Sequence, residues 1–303
     1  MATLYSNLAD VRLAETLSAE LQVLLADRAS LFGHPSIIYA GDAAQSGSST
    51  IKVPIAGLNG YDRMAPIAAG TAATDTAFTD DSVTITIARQ ALQRQLSSLA
   101  DLTDSVGVNT SAFVADMFGA AMMRFQELLV NVTDDFTSTV GTTTVAMTVT
   151  DFYSAQFTLT QASASGRPLC VLYPKQLTDF QSSLRSESGP AQYKIAAQDM
   201  LDIKGQGISG EFNGVDIAVS SLVPTATAGA DSAGGMWVRG AVAYADGTAR
   251  PTPIGPVVYP AGTKLFIEID RDLSYDYTKI VGNWFVGVVK AQDGAGVSII
   301  TDR

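Results

Sequence analysis

The chain has 303 residues, 47% hydrophobic and 16% charged, with one cysteine and a formal net charge of −11 at pH 7. That is enough apolar material for one large or two modest globular domains, and the few charges imply that much of the surface is covered by something else. The acidic balance excludes a protein that grips nucleic acid by neutralising phosphates; the lone Cys170 excludes an internal disulfide; no run of about eighteen uncharged apolar residues exists to cross a membrane.

The opening MATLYSNLADVRLAETL lacks a basic region followed by an apolar run, so no secretory signal is expected. Residues 10–28 place Leu13, Leu17, Leu21, Leu24 and Leu25 at helical spacing, and Gly33 and Pro35 follow. This short amphipathic helix has little local core and is expected to dock on the body or on a neighbour. Ser49 to Ile55 and Ser82 to Ala88 alternate and are β-rich, while 56–81 between them is Gly, Ala, Thr and Asp, too poor in large apolar residues to build a core. Pro54 places the first strand at an edge. The expectation is a long two-stranded arm, marginal alone in water, that lies on another subunit. Gln90 to Leu102 reads as helical or extended.

Asn109 to Val132 carries the longest helical pattern. Val114, Phe118, Met122, Phe125, Leu129 and Val132 share one face, widened by Phe113, Met117, Ala120, Ala121 and Leu128. So broad a face must be covered on more than one side, with Phe118 and Met122 expected under the closing strands, and Gly119 and its alanines let a neighbour lie close. A Thr-rich loop follows, with a short strand expected at 142–148, then a helix capped by Thr150 running to about Ala162. Leu169 to Tyr173 reads as a buried strand, Pro174 opens a helix through Leu184, and Ala191 to Ile203 is a weaker helix. Ile208 to Phe212 and Val215 to Val219 flank Asn213–Gly214, a strong hairpin signal. Gly229 to Gly235 reads as a flexible loop, Trp237 to Tyr244 as a strand turned at Asp246–Gly247, and the proline-rich Pro251 to Pro260 as a rigid connection. Two closing strands, Lys264 to Val281 and Trp284 to Ile300, are expected to turn at Gly282–Asn283.

Chemistry-bearing patterns are sparse. Gly205-Gln206-Gly207-Ile208-Ser209-Gly210 matches the dinucleotide fingerprint, but a hairpin follows where that motif needs a helix. No phosphate-loop run is present; Gly262-Thr263-Lys264 has the wrong order. His34 reads as a partly exposed linker residue and Cys170 as an inert core thiol. Asp80–Asp81, Asp134–Asp135 and Asp270/Asp272 read as solvated loop carboxylates, and the two Asn-X-Thr/Ser matches at Asn109 and Asn131 as chance. No catalytic, cofactor-binding or metal-ligating residue is assigned, so an enzyme ranks last.

The order of elements carries the remaining information: arm helix, long two-stranded loop, one long central helix, a mixed α/β segment and closing strands. With Leu169 to Leu184 (LCVLYPKQLTDFQSSL), Ile208 to Pro224 (ISGEFNGVDIAVSSLVP) and Gly282 to Asp302 (GNWFVGVVKAQDGAGVSIITD), it resembles the major capsid proteins of tailed bacteriophages, of the Hong Kong 97 fold, over nearly the whole chain. The resemblance implies an α+β subunit with an N-terminal arm at 1–35, an extended loop at 36–92, and a peripheral domain from 93–164 and 265–303 whose spine helix spans about 105–133. It places the axial domain at 165–264. It further implies a non-enzymatic shell of hexamers and pentamers around double-stranded DNA, located in the virion after assembly in the host cytoplasm, with a portal and possible decoration proteins as partners. Some thirty-five residues precede the loop, so the scaffold is expected to be a separate protein. Lys52, the lysine of the loop, sits on a strand and not at the tip, which argues for a structural role over self-cross-linking. Two alternatives stand beside this reading: an encapsulin-type nanocompartment of the same fold, and a secreted Thr/Gly-rich surface protein.

Overall fold

The computed structural model describes residues 31, 34–43, 48–56, 80–97, 108–162, 164, 166–186, 208–247, 257–258, 264–272 and 277–303. The expected helices at 10–28 and 191–203, the tip of the arm and most of the proline-rich connection lie outside these residues. Two sheets share one apolar core, and a single long helix runs from one to the other.

The first sheet is built on β14 (Tyr277–Lys290). One of its edges is occupied by β4 (Ala88–Ser97). Along its other edge β13 (Phe266–Asp272) and β11 (Val242–Gly247) lie end to end, β13 against 277–283 and β11 against 285–290. β1 (Ile37–Asp42) extends it parallel to β11, and β12 (Val257–Val258) extends it beyond β13. β14 therefore runs straight through Gly282–Asn283, where a turn was expected. The reason is tertiary. Gly282 faces Met117 of the long helix, where an added Cβ would sit 3.4 Å from the sulfur. Asn283 is 1% exposed, accepts from Arg89 Nε at 2.8 Å and donates to Glu268 Oε2 at 3.1 Å. Both residues satisfy neighbouring elements instead of bending their own.

The long helix α1 (Val108–Asn131) covers one face of this sheet and ends in a 3-10 turn, Val132–Asp135. Met117, Phe118, Met122, Phe125, Leu129 and Val132 are all buried, as their spacing demands. Phe125 packs between Tyr244 at 5.2 Å and Trp284 at 5.3 Å between ring centroids. Met123, on the opposite side, is 57% exposed. The small residues mid-helix leave a cleft of about 220 Å³ against β4 and β14, lined by Leu92, Met117, Ala120, Ala121 and Trp284 among others.

The second sheet runs in the order β5 (Thr139–Val140), β15 (Gly296–Asp302), β10 (Asp231–Trp237), β6 (Leu169–Leu172), β8 (Val215–Val219), β7 (Ile208–Phe212), with β9 (Thr225–Ala226) also against β10. The chain thus closes with three strands, β13, β14 and β15, and not two. The stretch read as a flexible loop, 229–235, is largely the buried strand β10. Its glycines serve close approach on both faces. A Cβ at Gly234 would lie 2.6 Å from Gln176 Oε1 on one side, and one at Gly235 would lie 2.7 Å from Thr133 Cγ2 on the other. β10 ends at Trp237, so the strand expected at 237–244 is instead a turn followed by β11.

The hairpin β7–β8 forms as expected, with Asn213 at φ 50° and Gly214 at φ 77° supplying the left-handed pair that such a turn requires. The expected strand at 142–148 is displaced to β5, and that segment is a turn whose Thr144 N–H donates to Asp231 Oδ1 at 2.7 Å. Two helices, α2 (Val149–Gln161) and α3 (Pro174–Ser186), pack with β7 through Phe152, Phe180 and Phe212, whose ring centroids lie 5.0 to 5.4 Å apart. The cap of α2 is Thr148 and not Thr150. Its side chain accepts from Asp151 N–H while Asp151 accepts from the Thr148 N–H at 2.8 Å, a reciprocal capping box. Thr148→Ala should lower stability by about 1 kcal/mol in urea unfolding. Thr150→Ala should change it little, and equal losses for the two would return the cap to Thr150.

Candidate assembly surface

The functional geometry lies where the two-stranded arm leaves the body. β2 (Thr50–Ala56) and β3 (Asp80–Thr86) pair antiparallel, Thr50 opposite Thr86 and Ala56 opposite Asp80, as their alternation predicts. Side chains alternate across a strand, so β11 and β14 present opposite sets to their two faces. Tyr244 and Trp284 meet α1. Ala243, Ala245, Val289 and Ala291 meet the root of the arm through Ile85, Ile87, Ile51 and Val53. Ile85 is fully buried there, while Thr84 and Thr86 beside it are exposed. The sheet is therefore held between α1 on one face and the root of β2–β3 on the other.

Gly287 sets how close the arm can come. An added Cβ there would overlap the Thr86 carbonyl oxygen and press on Ile85 Cγ2 at 3.0 Å. A backbone oxygen cannot swing aside as a side chain does, so Gly287→Ala should lift the root of β3. Hydrogen exchange should then show protection lost at 82–86 while 117–130 stays protected. Unchanged protection at 82–86 would mean the root is not seated on β14.

A second anchor lies at the edge of the same sheet. Lys264 Nζ reaches Asp246 Oδ1 at 2.6 Å, Tyr39 OH at 2.7 Å and Asp42 Oδ2 at 3.0 Å, tying β1 and β11 together. Burial alone would lower the Lys264 ammonium, but Asp246, Tyr39 and Asp42 outweigh it and hold the group above the usual lysine range.

The residues singled out for chemistry do not converge. Ile208, Ser209 and Gly210 of the fingerprint lie in β7, so no helix follows to receive a phosphate; Gly205 to Gly207 lie outside the described residues. Cys170 is fully buried in β6, and burial pushes its thiol up, away from reactivity. Asp134 and Asp135 are exposed on the 3-10 turn, and the Asp80–Asp81 and Asp270/Asp272 pairs lie on β3 and β13. Among the described residues no three His, Cys, Asp or Glu side chains stand close enough to share a metal ion. No helix among them is long and apolar enough to cross a membrane. Lys52 lies exposed on β2, opposite Thr84 of β3. His34 departs from expectation: it is 8% exposed and bonded to Asp216, not a linker residue open to water. Many cations are paired with acids, including Arg94–Asp116 at 2.7 Å, Arg124–Glu127 at 2.6 Å, Lys290–Asp293 at 2.7 Å and Lys175–Asp302.

No protein-family model matches the sequence, and comparison with curated proteins finds no match. Solved structures do match. The capsid of Ralstonia phage GP4 aligns over 88% of this chain and 86% of its own, with a TM-score of 0.61 at 11% identity. A protein of Mycobacterium phage Che8 aligns over 85% and 86%, with a TM-score of 0.57 at 15% identity. The chain has the Hong Kong 97 capsid fold. An encapsulin complex from Synechococcus elongatus shares it less extensively, over 75% of this chain and 78% of its own, with a TM-score of 0.56 at 12% identity.

Proposed function

We propose that this chain is the major capsid protein of a tailed phage, a non-enzymatic subunit that self-assembles as hexamers and pentamers into an icosahedral shell enclosing double-stranded DNA. The observation that carries this is the arm. It is a separate two-stranded sheet that joins no further strand among the described residues, rooted on the body by Ile85 and leading into a stretch with few large apolar groups. The edges of such a sheet in a lone molecule invite association, and a shell supplies the neighbour that covers them. The acidic balance and the paired cations suit a container that surrounds DNA without gripping it.

In this reading the chain divides into an N-terminal arm (1–35), an extended loop (36–92), a peripheral domain (93–164 and 265–303) and an axial domain (165–264). Strands cross that division: β1 and β11 join the sheet under the spine helix, while β5 and β15 join the sheet of β6 to β10. The subunit resides in the virion after assembly in the host cytoplasm, and a scaffolding protein and a portal are the partners it calls for. The likeness to an encapsulin complex supports a second reading, a nanocompartment shell with protein cargo. Negative-stain microscopy of the purified protein, followed by nuclease treatment, distinguishes them. Closed shells that protect DNA made with the phage packaging proteins support the capsid. Shells that hold only protein support the nanocompartment, and a protein that forms no shell even with a phage scaffolding protein present overturns both.

A further inference from the structure

The chain's single histidine has no part in the assembly surface. His34 lies just before β1, and its imidazole reaches Asp216 of β8, 182 residues away, across the gap between the two sheets. Its Nδ1 accepts from the Ser36 backbone N–H at 3.2 Å and lies 2.7 Å from the Ser36 hydroxyl oxygen. An amide N–H can only donate, so Nδ1 carries no proton in this arrangement. The ring proton is on Nε2, which donates to Asp216 Oδ2 at 3.3 Å. Asp216 is 3% exposed, and its Oδ1 accepts from Arg167 Nη2 at 2.5 Å. Arg167 also donates to Glu211 Oε2 of β7 at 3.0 Å. The charged groups facing His34 among the described residues are therefore Asp216 from β8 and Arg167 from the segment before β6, with Glu211 behind Arg167.

We propose that His34 is a proton-sensitive latch: neutral, it pins the residues leading into β1 to the second sheet, and protonated, it releases them.

The geometry favours the neutral ring on two counts. A proton on Nδ1 can be accepted by the Ser36 hydroxyl, which rotates, but the Ser36 amide then loses its acceptor in a residue 1% exposed. The imidazolium would also face a carboxylate that Arg167 already compensates. Burial acts in the same direction: it outweighs the hydrogen bond and charge of Asp216, and with Arg167 it holds His34 below its ordinary 6.5. A histidine whose folded value is depressed contributes stability that is full above the unfolded value and is lost as pH falls through the folded one. The latch is thus closed at neutral pH and opens in acid. Residues 34–36 enter β1 directly, so opening frees the approach to that strand from the second sheet. This is a property of the subunit and does not depend on whether the subunit builds shells.

A lone histidine makes the test clean, since 15N labelling of histidine reports one imidazole. The expected spectrum is the Nε2–H tautomer titrating below 6.5. Hydrogen exchange at Ser36 and Ile37, corrected for intrinsic rates, should lose protection below that pH, by at most tenfold per pH unit for one proton. His34→Gln keeps a donor toward Asp216 and removes the titration, so its exchange should show no such slope. An Nδ1–H tautomer, a titration at or above 6.5, or an equal slope in His34→Gln would each overturn the latch. The spectrum is read on the unaltered chain, so the proposal stays testable even if the variant fails to fold.

Discussion

Phe125→Ala is expected to destabilise the subunit by about 3–5 kcal/mol, among the larger losses available to a single substitution. Phe125 is 1% exposed in the C-terminal third of α1 and sits between Tyr244 of β11 and Trp284 of β14. Truncation removes the apolar area, opens a cavity that the surrounding packing only partly closes, and cancels two aromatic contacts worth about 0.5–1.5 kcal/mol each. Phe118→Ala, at 1% exposure on the same face, should fall in the same range. Met123→Ala is the control: Met123 is 57% exposed, and the change should lie within about 0.5 kcal/mol. Denaturant unfolding of the three variants measures this. If Phe125→Ala lost no more than Met123→Ala, the helix would not be the element joining the sheets, and the core described here would be wrong.

Why the helix could be read from sequence, and other elements could not, follows from where each one's constraints lie. A helix buried along one face writes its burial into its own period, so Met117 to Val132 announced both the element and the side it hides. Asn213–Gly214 was legible for the same reason, because the left-handed pair it needs is a local property. Gly282–Asn283 has similar composition and the opposite outcome. Its glycine answers to Met117 and its asparagine to Arg89 and Glu268, residues that no local window contains. Gly234–Gly235 repeats the lesson. Glycine in sequence suggests freedom, yet here it is the consequence of Gln176 and Thr133 pressing from opposite faces of a buried strand. α2 is capped by Thr148 where Thr150 was expected; the spacing of Thr148 to Asp151, three residues apart, is the capping-box signature. His34 gave no local sign at all. A histidine between glycine and proline reads as linker, and its burial depends on a carboxylate in another sheet.

The largest effect on function is expected from the arm. Deleting residues 58–79 and joining β2 to β3 by a short turn should leave the body folded and abolish closed shells. The body should survive because the arm's contribution to the core lies at its root: Ile51, Val53, Ile85 and Ile87 meet Ala243, Ala245 and Val289 outside the deleted stretch. The β2–β3 register also stays intact from Thr50–Thr86 to Ala56–Asp80. The deleted residues contribute few large apolar groups, so little hydrophobic stabilisation leaves with them. Assembly should fail because, in the capsid reading proposed above, those residues are the part of the extended loop that meets a neighbouring subunit. What remains is a short, rooted hairpin unable to extend over a neighbour. Circular dichroism melting should therefore show a transition within a few degrees of the intact chain, while electron microscopy of the same sample shows no regular shells. Regular shells of normal size from the deleted protein would remove the arm from assembly and with it the main mechanical support for the capsid reading. Loss of the melting transition would instead show that the stretch belongs to the core and that the root on β11 and β14 is not self-sufficient. The companion change Gly287→Ala separates the two contributions, since it disturbs the root and leaves 58–79 in place. If the reach of the arm governs assembly, the deletion should be far more damaging to shells than the lifted root; if seating governs it, the two should fail alike.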